Sequence, residues 1–277
     1  MRILKTTILS GILFVGILSS CCQQQEAKTI TSTETSQDTQ EINEKLLMAT
    51  LYHQRAAEVA ALSYQAYNSA KVSLDKILKE NKSNKPLAIV TDVDETVLDN
   101  SPFQAKCIET NTDYTRDSWS EWCNQANAEV IEGATEFFNY AKDKGVTTFY
   151  ITNRRDPLNE ATIKNLQAKG FPFADKDHVV TRSAEASKEA RRQDVLENYN
   201  IIMLVGDNLS DFSQIFEDKL HTDRSMLVDS LKHEFGHRFI VLPNAMYGDW
   251  VHSMEGFHHQ LEDHEKMDCM MKNLDSF

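Results

Sequence analysis

Positive charge is scarce in this chain. Its 277 residues carry 29 Lys and Arg against 42 Asp and Glu, a formal net charge of −13. That balance speaks against binding nucleic acid through a basic face, and many of the acidic groups are expected to form a solvated surface. Cysteine is sparse too. Of the five cysteines, Cys21 and Cys22 belong to a processing region. Cys107, Cys123 and Cys269 remain, an odd set that does not make a disulfide scaffold. A bridge between Cys107 and Cys123 stays open on the sequence alone. The apolar stretch from Ile8 to Leu18 is too short for a comfortable membrane span. Gly and Pro are missing from Ile42 to Lys85, and no internal repeat is visible.

The N-terminus has a targeting layout. Arg2 and Lys5 precede the Ile8–Leu18 stretch, and Leu18-Ser19-Ser20-Cys21 follows. Charged, apolar and small-residue regions in that order read as a secretory signal. The Leu-Ser-Ser-Cys ending resembles a bacterial lipobox, which implies cleavage before Cys21 and lipid on its thiol. Losing residues 1–20 takes Arg2 and Lys5 from the −13 total and leaves the mature chain near −15. Residues 21–42, rich in Gln, Thr, Ser and Glu, read as a flexible tether with almost nothing to bury. The expected location is the bacterial cell envelope, on a lipid anchor.

Residues 43–277 read as one folded domain. From Ile42 to Lys85, apolar pairs at helical spacing such as Leu47/Leu51 and Leu74/Leu78 predict one long helix or two shorter ones. After Pro86 the pattern alternates. Apolar runs at Leu87–Val90, Thr147–Ile151, Ile201–Val205 and Phe239–Leu242 predict buried strands. Amphipathic segments near Glu132–Lys144, Leu158–Lys169 and Glu185–Asn198 lie between them, and Gly145 and Gly170 stand where helices should stop. Strands without polar alternation predict a parallel sheet covered on both faces, an α/β doubly wound architecture with ligands beyond the carboxyl ends of the strands.

Polar residues follow these apolar runs. The first run empties into Thr91-Asp92-Val93-Asp94-Glu95-Thr96. In an extended chain, residues two apart lie on the same side. Such a carboxylate pair is costly for folding, yet it can hold a divalent cation and supply a nucleophile beside an acid. The next run ends in Thr152-Asn153-Arg154-Arg155, and the third in Gly206-Asp207-Asn208-Leu209-Ser210-Asp211. Lys188 opens a helix between them. The sheet's carboxyl edge therefore gathers Asp92, Asp94, Thr152, Asp207 and Asp211, with Lys188 nearby. Taken singly, an Asp-x-Asp could cap a helix and Gly206-Asp207-Asn208 could be a plain turn. Their joint appearance, each at its own element end, argues for chemistry.

This constellation resembles the haloacid dehalogenase (HAD) superfamily, whose phosphatases show Asp-x-Asp-x-Thr, a Ser or Thr after a strand, a Lys, and an acidic pair after a Gly. Two longer strings, Asp92 through Pro102 and Gly206 through Phe212, look like the class C acid phosphatases, the lipoprotein e family. The resemblance covers roughly residues 42–255. It implies a HAD-like Rossmannoid parallel sheet with helices on both faces and a small, mostly helical cap, drawn here from about residues 43–80 and 101–131. It also implies a Mg²⁺-dependent phosphomonoesterase of 5′-nucleotidase type. Mg²⁺ would sit on Asp92, Asp207 and the Asp94 backbone carbonyl. Asp92 would be the nucleophile and Asp94 the acid and base, Thr152 and Lys188 would hold the phosphoryl oxygens, and Asp211 would position Lys188 or water on the metal. Asn153 is counted among the substrate-binding residues. In this family an aromatic pair is thought to sandwich the base, and Trp119 and Tyr247 fit those places, whereas Trp122 and Trp250 are read as packing. The expected partners are a small phosphomonoester and, through the anchor, a membrane, with a homodimer as the oligomeric expectation. Alternatives are a binding lipoprotein on the same fold and a phosphotransferase. The C-terminal His252, His258, His259 and His264 near Cys269 allow either a transition-metal site or scattered surface histidines.

Overall fold

The computed structural model describes residues 46–258 and 260–277. The signal, Cys21, the tether and His259 lie outside the described residues. The centre is a five-stranded parallel sheet built from β1 (Leu87–Thr91), β4 (Thr147–Arg155), β5 (Val179–Arg182), β6 (Asn200–Gly206) and β7 (Phe239–Val241), in spatial order β5-β4-β1-β6-β7. β1 lies in the middle, paired in parallel with β4 on one side and β6 on the other. Its neighbours deliver their terminal residues beside its own, which brings Thr152, Asp92 and Asp207 to one edge.

The three central strands, β1, β4 and β6, are buried on both faces along their apolar runs, as those runs predict. Ile89, Tyr150, Met203 and Val205 enter the larger core cluster; Ala88, Val90, Phe149, Ile151 and Leu204 enter the smaller one on the other face. The larger cluster is closed by helices Ala57–Glu80 and Ala134–Asp143. In the first of these, Val59, Ser63, Tyr67, Ala70 and Leu74 are buried, a stripe at helical spacing. This helix packs against Ala134–Asp143 and β7. It covers the body of the fold, so Ala57–Glu80 lies outside the cap to which residues 43–80 were expected to contribute. A separate helical segment spans residues 46–55.

Residues after β1 form an insertion. A two-stranded antiparallel ribbon, β2 (Leu98–Asp99) with β3 (Glu129–Val130), closes its base. Between those strands lie helices Ser101–Thr110 and Arg116–Gln125, the part expected to form the cap. The second of these helices starts on a capping box, with Thr115 accepting from Ser118 N. Helices Asn159–Ala168 and Glu189–Asn198 fall where their amphipathic segments predict. β5 and the small ribbon had no counterpart among the predicted strands. Cys107, Cys123 and Cys269 are all free and buried, so no Cys107–Cys123 bridge forms. Among the described residues no helix is long and apolar enough to cross a membrane.

Candidate active site

Asp92 is the first residue beyond β1, and its N–H continues the ladder to Val205 O at 2.9 Å. One turn later the chain folds sharply, with Val97 N and Leu98 N both donating to Val93 O. Glu95 adopts φ +56°, an uncommon conformation for a side chain of this size. Its buried carboxyl accepts from Asn100 N at 2.7 Å, which fixes the turn. Burial, then the charges of Asp94 and Asp207, push the Glu95 carboxyl well above its ordinary range.

Lys188 is the cation of the site. Its Nζ lies 2.5 Å from Asp92 Oδ1 and 2.6 Å from Asp211 Oδ1. The contact to Asp211 is a hydrogen bond. The one to Asp92 is a charge contact without hydrogen-bond alignment, and it leaves Asp92 Oδ1 buried with no hydrogen-bond partner. Burial disfavours the Lys188 charge, yet Asp211 and Asp92 outweigh it and hold the ammonium above its ordinary value. Asp207 is steadied by Thr96 Oγ1 at 3.2 Å and Asn244 Nδ2 at 2.8 Å. Burial, then Asp211 and Asp92, push its carboxyl well up. Burial likewise pushes Asp92 up to about 7, with Lys188 opposing and Asp211 and Asp94 adding to the shift.

Carboxylate oxygens of Asp92, Asp207 and Asp211 all lie within 4.8 Å of one another. Three acidic groups face one ammonium, so the site is short of positive charge. Hard oxygen donors around a deficit of this kind suit a divalent cation such as Mg²⁺. The Asp94 carboxylate stands outside this trio. Its expected ligand atom was the backbone carbonyl, so the two sets share Asp92 and Asp207 and differ in Asp211.

Asp94 is held from the β4 side. Arg154 reaches its Oδ1 through Nε at 2.9 Å and Nη2 at 2.8 Å, and Thr152 Oγ1 donates to Oδ2 at 3.2 Å. Arg154 is 2% exposed, so this pair is shielded from water. Neither Arg154 nor Asn100 was singled out from the sequence. A signal for Arg154 existed: it stands two residues after Thr152 on the same strand face, the spacing that marked Asp92 and Asp94. Asn153 is exposed, and its side-chain oxygen accepts from Arg191 Nη2 at 2.7 Å. Arg191 also donates to Thr152 O at 2.7 Å, tying the end of β4 to the loop before Lys188. Trp119 lies edge-on to Phe103 at 5.0 Å and over Arg154 at 5.7 Å, which places it beside the guanidinium that holds Asp94. Tyr247 is half-buried, three residues beyond Asn244. Trp122 packs against the main core cluster. Among the described residues the only cluster of possible metal ligands is the aspartate trio; His252, His258 and His264 belong to none.

A five-stranded parallel sheet with an aspartate-rich carboxyl edge defines an α/β protein of the HAD-like class. The chain belongs to the HAD superfamily, subfamily IIIB, the acid phosphatases, whose family model matches residues 14–250. It is similar to the class C acid phosphatase from Bacillus anthracis, with 41% sequence identity and a TM-score of 0.82, covering 86% of this chain and 99% of that one. The same Bacillus anthracis protein with tungstate bound matches at 42% identity, with the same coverage and TM-score. Two Glycine max proteins are more distant. A stem 31 kDa glycoprotein is 27% identical over 125 residues, 43% of this chain and 49% of its own length. A stem 28 kDa glycoprotein is 26% identical over 129 residues, 44% and 51%. The chain spans about half the length of these curated relatives.

Proposed function

We propose that this protein is a Mg²⁺-dependent phosphomonoesterase acting on nucleoside monophosphates and similar esters through an aspartyl phosphate on Asp92. One observation carries the reading. The Asp92 carboxylate, clustered with those of Asp207 and Asp211 and ion-paired with Lys188, stands at the end of the strand that also presents Asp94. Bound Mg²⁺, held by Asp92, Asp207 and Asp211 with the Asp94 carbonyl, would offset substrate charge and the crowding of carboxylates. Tungstate is a tetrahedral oxyanion of phosphate-like shape, so its binding to the Bacillus anthracis protein supports the same reading.

The chain's own groups then divide the work. An Asp92 oxygen forms a bond to phosphorus while the ester P–O bond breaks, and Asp94 gives its proton to the leaving oxygen. Asp94 next takes a proton from water as that water attacks the acyl phosphate, which frees inorganic phosphate and restores Asp92. Lys188 and Thr152 steady the phosphoryl oxygens where negative charge builds up. Trp119 and Tyr247 would stack on the base, worth about 1–3 kcal/mol without reading its identity. A lipid on Cys21 would hold the enzyme at the cell envelope.

A panel of phosphomonoesters assayed with and without Mg²⁺ tests the proposal. Nucleoside monophosphates should be hydrolysed with Mg²⁺, and a chelator should silence the enzyme until Mg²⁺ is restored. Turnover indifferent to chelation would remove the metal from the proposal. No turnover of any ester from acid to neutral pH would favour a binding lipoprotein, a reading that loss of a motif residue would have announced and that no residue here supports.

A further inference from the structure

The two oxygens of Asp94 are treated unequally. Oδ1 receives three donors: Arg154 Nε at 2.9 Å, Arg154 Nη2 at 2.8 Å and Asn100 Nδ2 at 2.9 Å. Oδ2 has one contact, from Thr152 Oγ1 at 3.2 Å. The oxygen left to face a leaving group is therefore Oδ2. That asymmetry depends on Asn100 presenting its NH₂ to Asp94 and not its carbonyl, which would set two acceptors against each other. Asn100 is fully buried, and its Oδ1 accepts from Trp122 Nε1 at 2.8 Å and from Arg154 Nη2 at 3.1 Å. An indole N–H and a guanidinium N–H can only donate, so Trp122 and Arg154 together hold the Asn100 oxygen and leave its NH₂ to turn toward Asp94, with Trp122 making the shorter of the two bonds.

We propose that Trp122, on helix Arg116–Gln125 of the insertion, is a positioning residue for the acid: through Asn100 it fixes the Asp94 carboxyl with Oδ2 toward the leaving oxygen. The inference rests on the phosphomonoesterase reading. In the step concerned, the Asp92 oxygen bonds to phosphorus, the ester P–O bond breaks, and the proton passes from Asp94 Oδ2 to the departing oxygen. An alkoxide needs that proton. A nitrophenolate departs readily without it. A defect in aiming the acid therefore shows up in one ester and not the other, whereas a general loss of structure lowers both.

Trp122→Phe in the full chain keeps an aromatic ring and deletes the five-membered ring that carries the N–H. The readout is kcat/KM, which reports the step that expels the leaving group, for a nucleoside 5′-monophosphate and for p-nitrophenyl phosphate. The alkyl ester should lose about tenfold, the aryl ester about twofold or less. Asn100→Ala, at the next link, should shift the ratio in the same direction, which keeps the inference testable if Trp122→Phe folds poorly. In an Asp94→Asn background Trp122→Phe should have no further effect on the alkyl ester. Equal losses for both esters, or no loss for either, would overturn the relay. A wild-type protein that hydrolyses neither ester would instead sink the functional reading beneath it.

Discussion

Asp92→Asn should abolish turnover and, in the absence of metal, make the protein harder to unfold at neutral pH. The loss of activity follows from removing the proposed nucleophile: neutral carboxamide in place of carboxylate should lower kcat by at least about 10⁴-fold. The gain in stability follows from the surroundings of Asp92. Burial, with Asp211 and Asp94 adding to it, holds its carboxyl up at about 7 against an ordinary 3.8. The folded protein therefore favours the protonated form. Below about pH 4 the carboxyl is protonated folded or unfolded. As pH rises from there toward 7, the unfolded chain ionises while the folded one resists, and the stability contributed by neutral Asp92 is progressively lost. A shift of this size corresponds to something on the order of 4 kcal/mol. Asn stays neutral throughout and escapes that loss. That figure is already net of Lys188, whose attraction for the ionised carboxylate opposes the upward shift. Thermal unfolding in chelator should thus show the variant several degrees above wild type at neutral pH and close to it near pH 4. Mg²⁺ should narrow or reverse the gap, since the cation stabilises the form that keeps its ligand. A variant that melts below wild type at neutral pH without metal would show that the aspartate trio is not strained against itself.

The sequence made some of this site legible because β-strands announce their ends. The runs at 87–90, 147–151, 201–205 and 239–242 correspond to β1, β4, β6 and β7, and the polar residues just beyond them are the ones the sheet brings together. Strand β5 was silent for a physical reason. It has four residues, two of them Thr181 and Arg182, and as an edge strand it needs no long apolar run. The long helix Ala57–Glu80 was legible as a helix but not in its place. A stripe such as Val59, Tyr67 and Leu74 states that a face is buried and does not say against what. Its partners, Phe137 and Phe138 beside Tyr67, lie some seventy residues away in sequence. Arg154 and Asn100 were hidden differently. Both sit inside strings whose neighbours drew the attention, and their value comes from meeting at one oxygen of Asp94 from two separate elements. Pattern reading along the chain finds residues that act at their own element's end. Residues whose role is to hold another side chain are found only once the fold has closed.

Gly206→Ala should cost the site more than any other single-methyl change. Gly206 ends β6, is in register with Val241 of β7 and accepts from Leu242 N at 2.9 Å, so its backbone is pinned. A Cβ there would overlap Asp211 Oδ2 and stand 2.5 Å from Asp211 Cβ and 2.7 Å from its Cγ. Contacts that close are not tolerated, and the carboxylate has to move. Asp211 then gives up the 2.6 Å contact to Lys188 and the 2.9 Å bond from Asn208 N. Lys188 is left on Asp92 alone, and the trio that would hold the cation loses a member. Displacing catalytic groups by this much should lower kcat by about 10²-fold or more. Overpacking should destabilise the fold by about 1–3 kcal/mol, several degrees in Tm. Gly145→Ala separates backbone strain from damage to the site. Gly145 has φ +79°, and a Cβ added there would meet nothing within 4 Å, so alanine should cost about 1 kcal/mol and leave kcat unchanged. Equal activity in the two variants would mean that the approach of Asp211 to Gly206 does not govern where Lys188 stands.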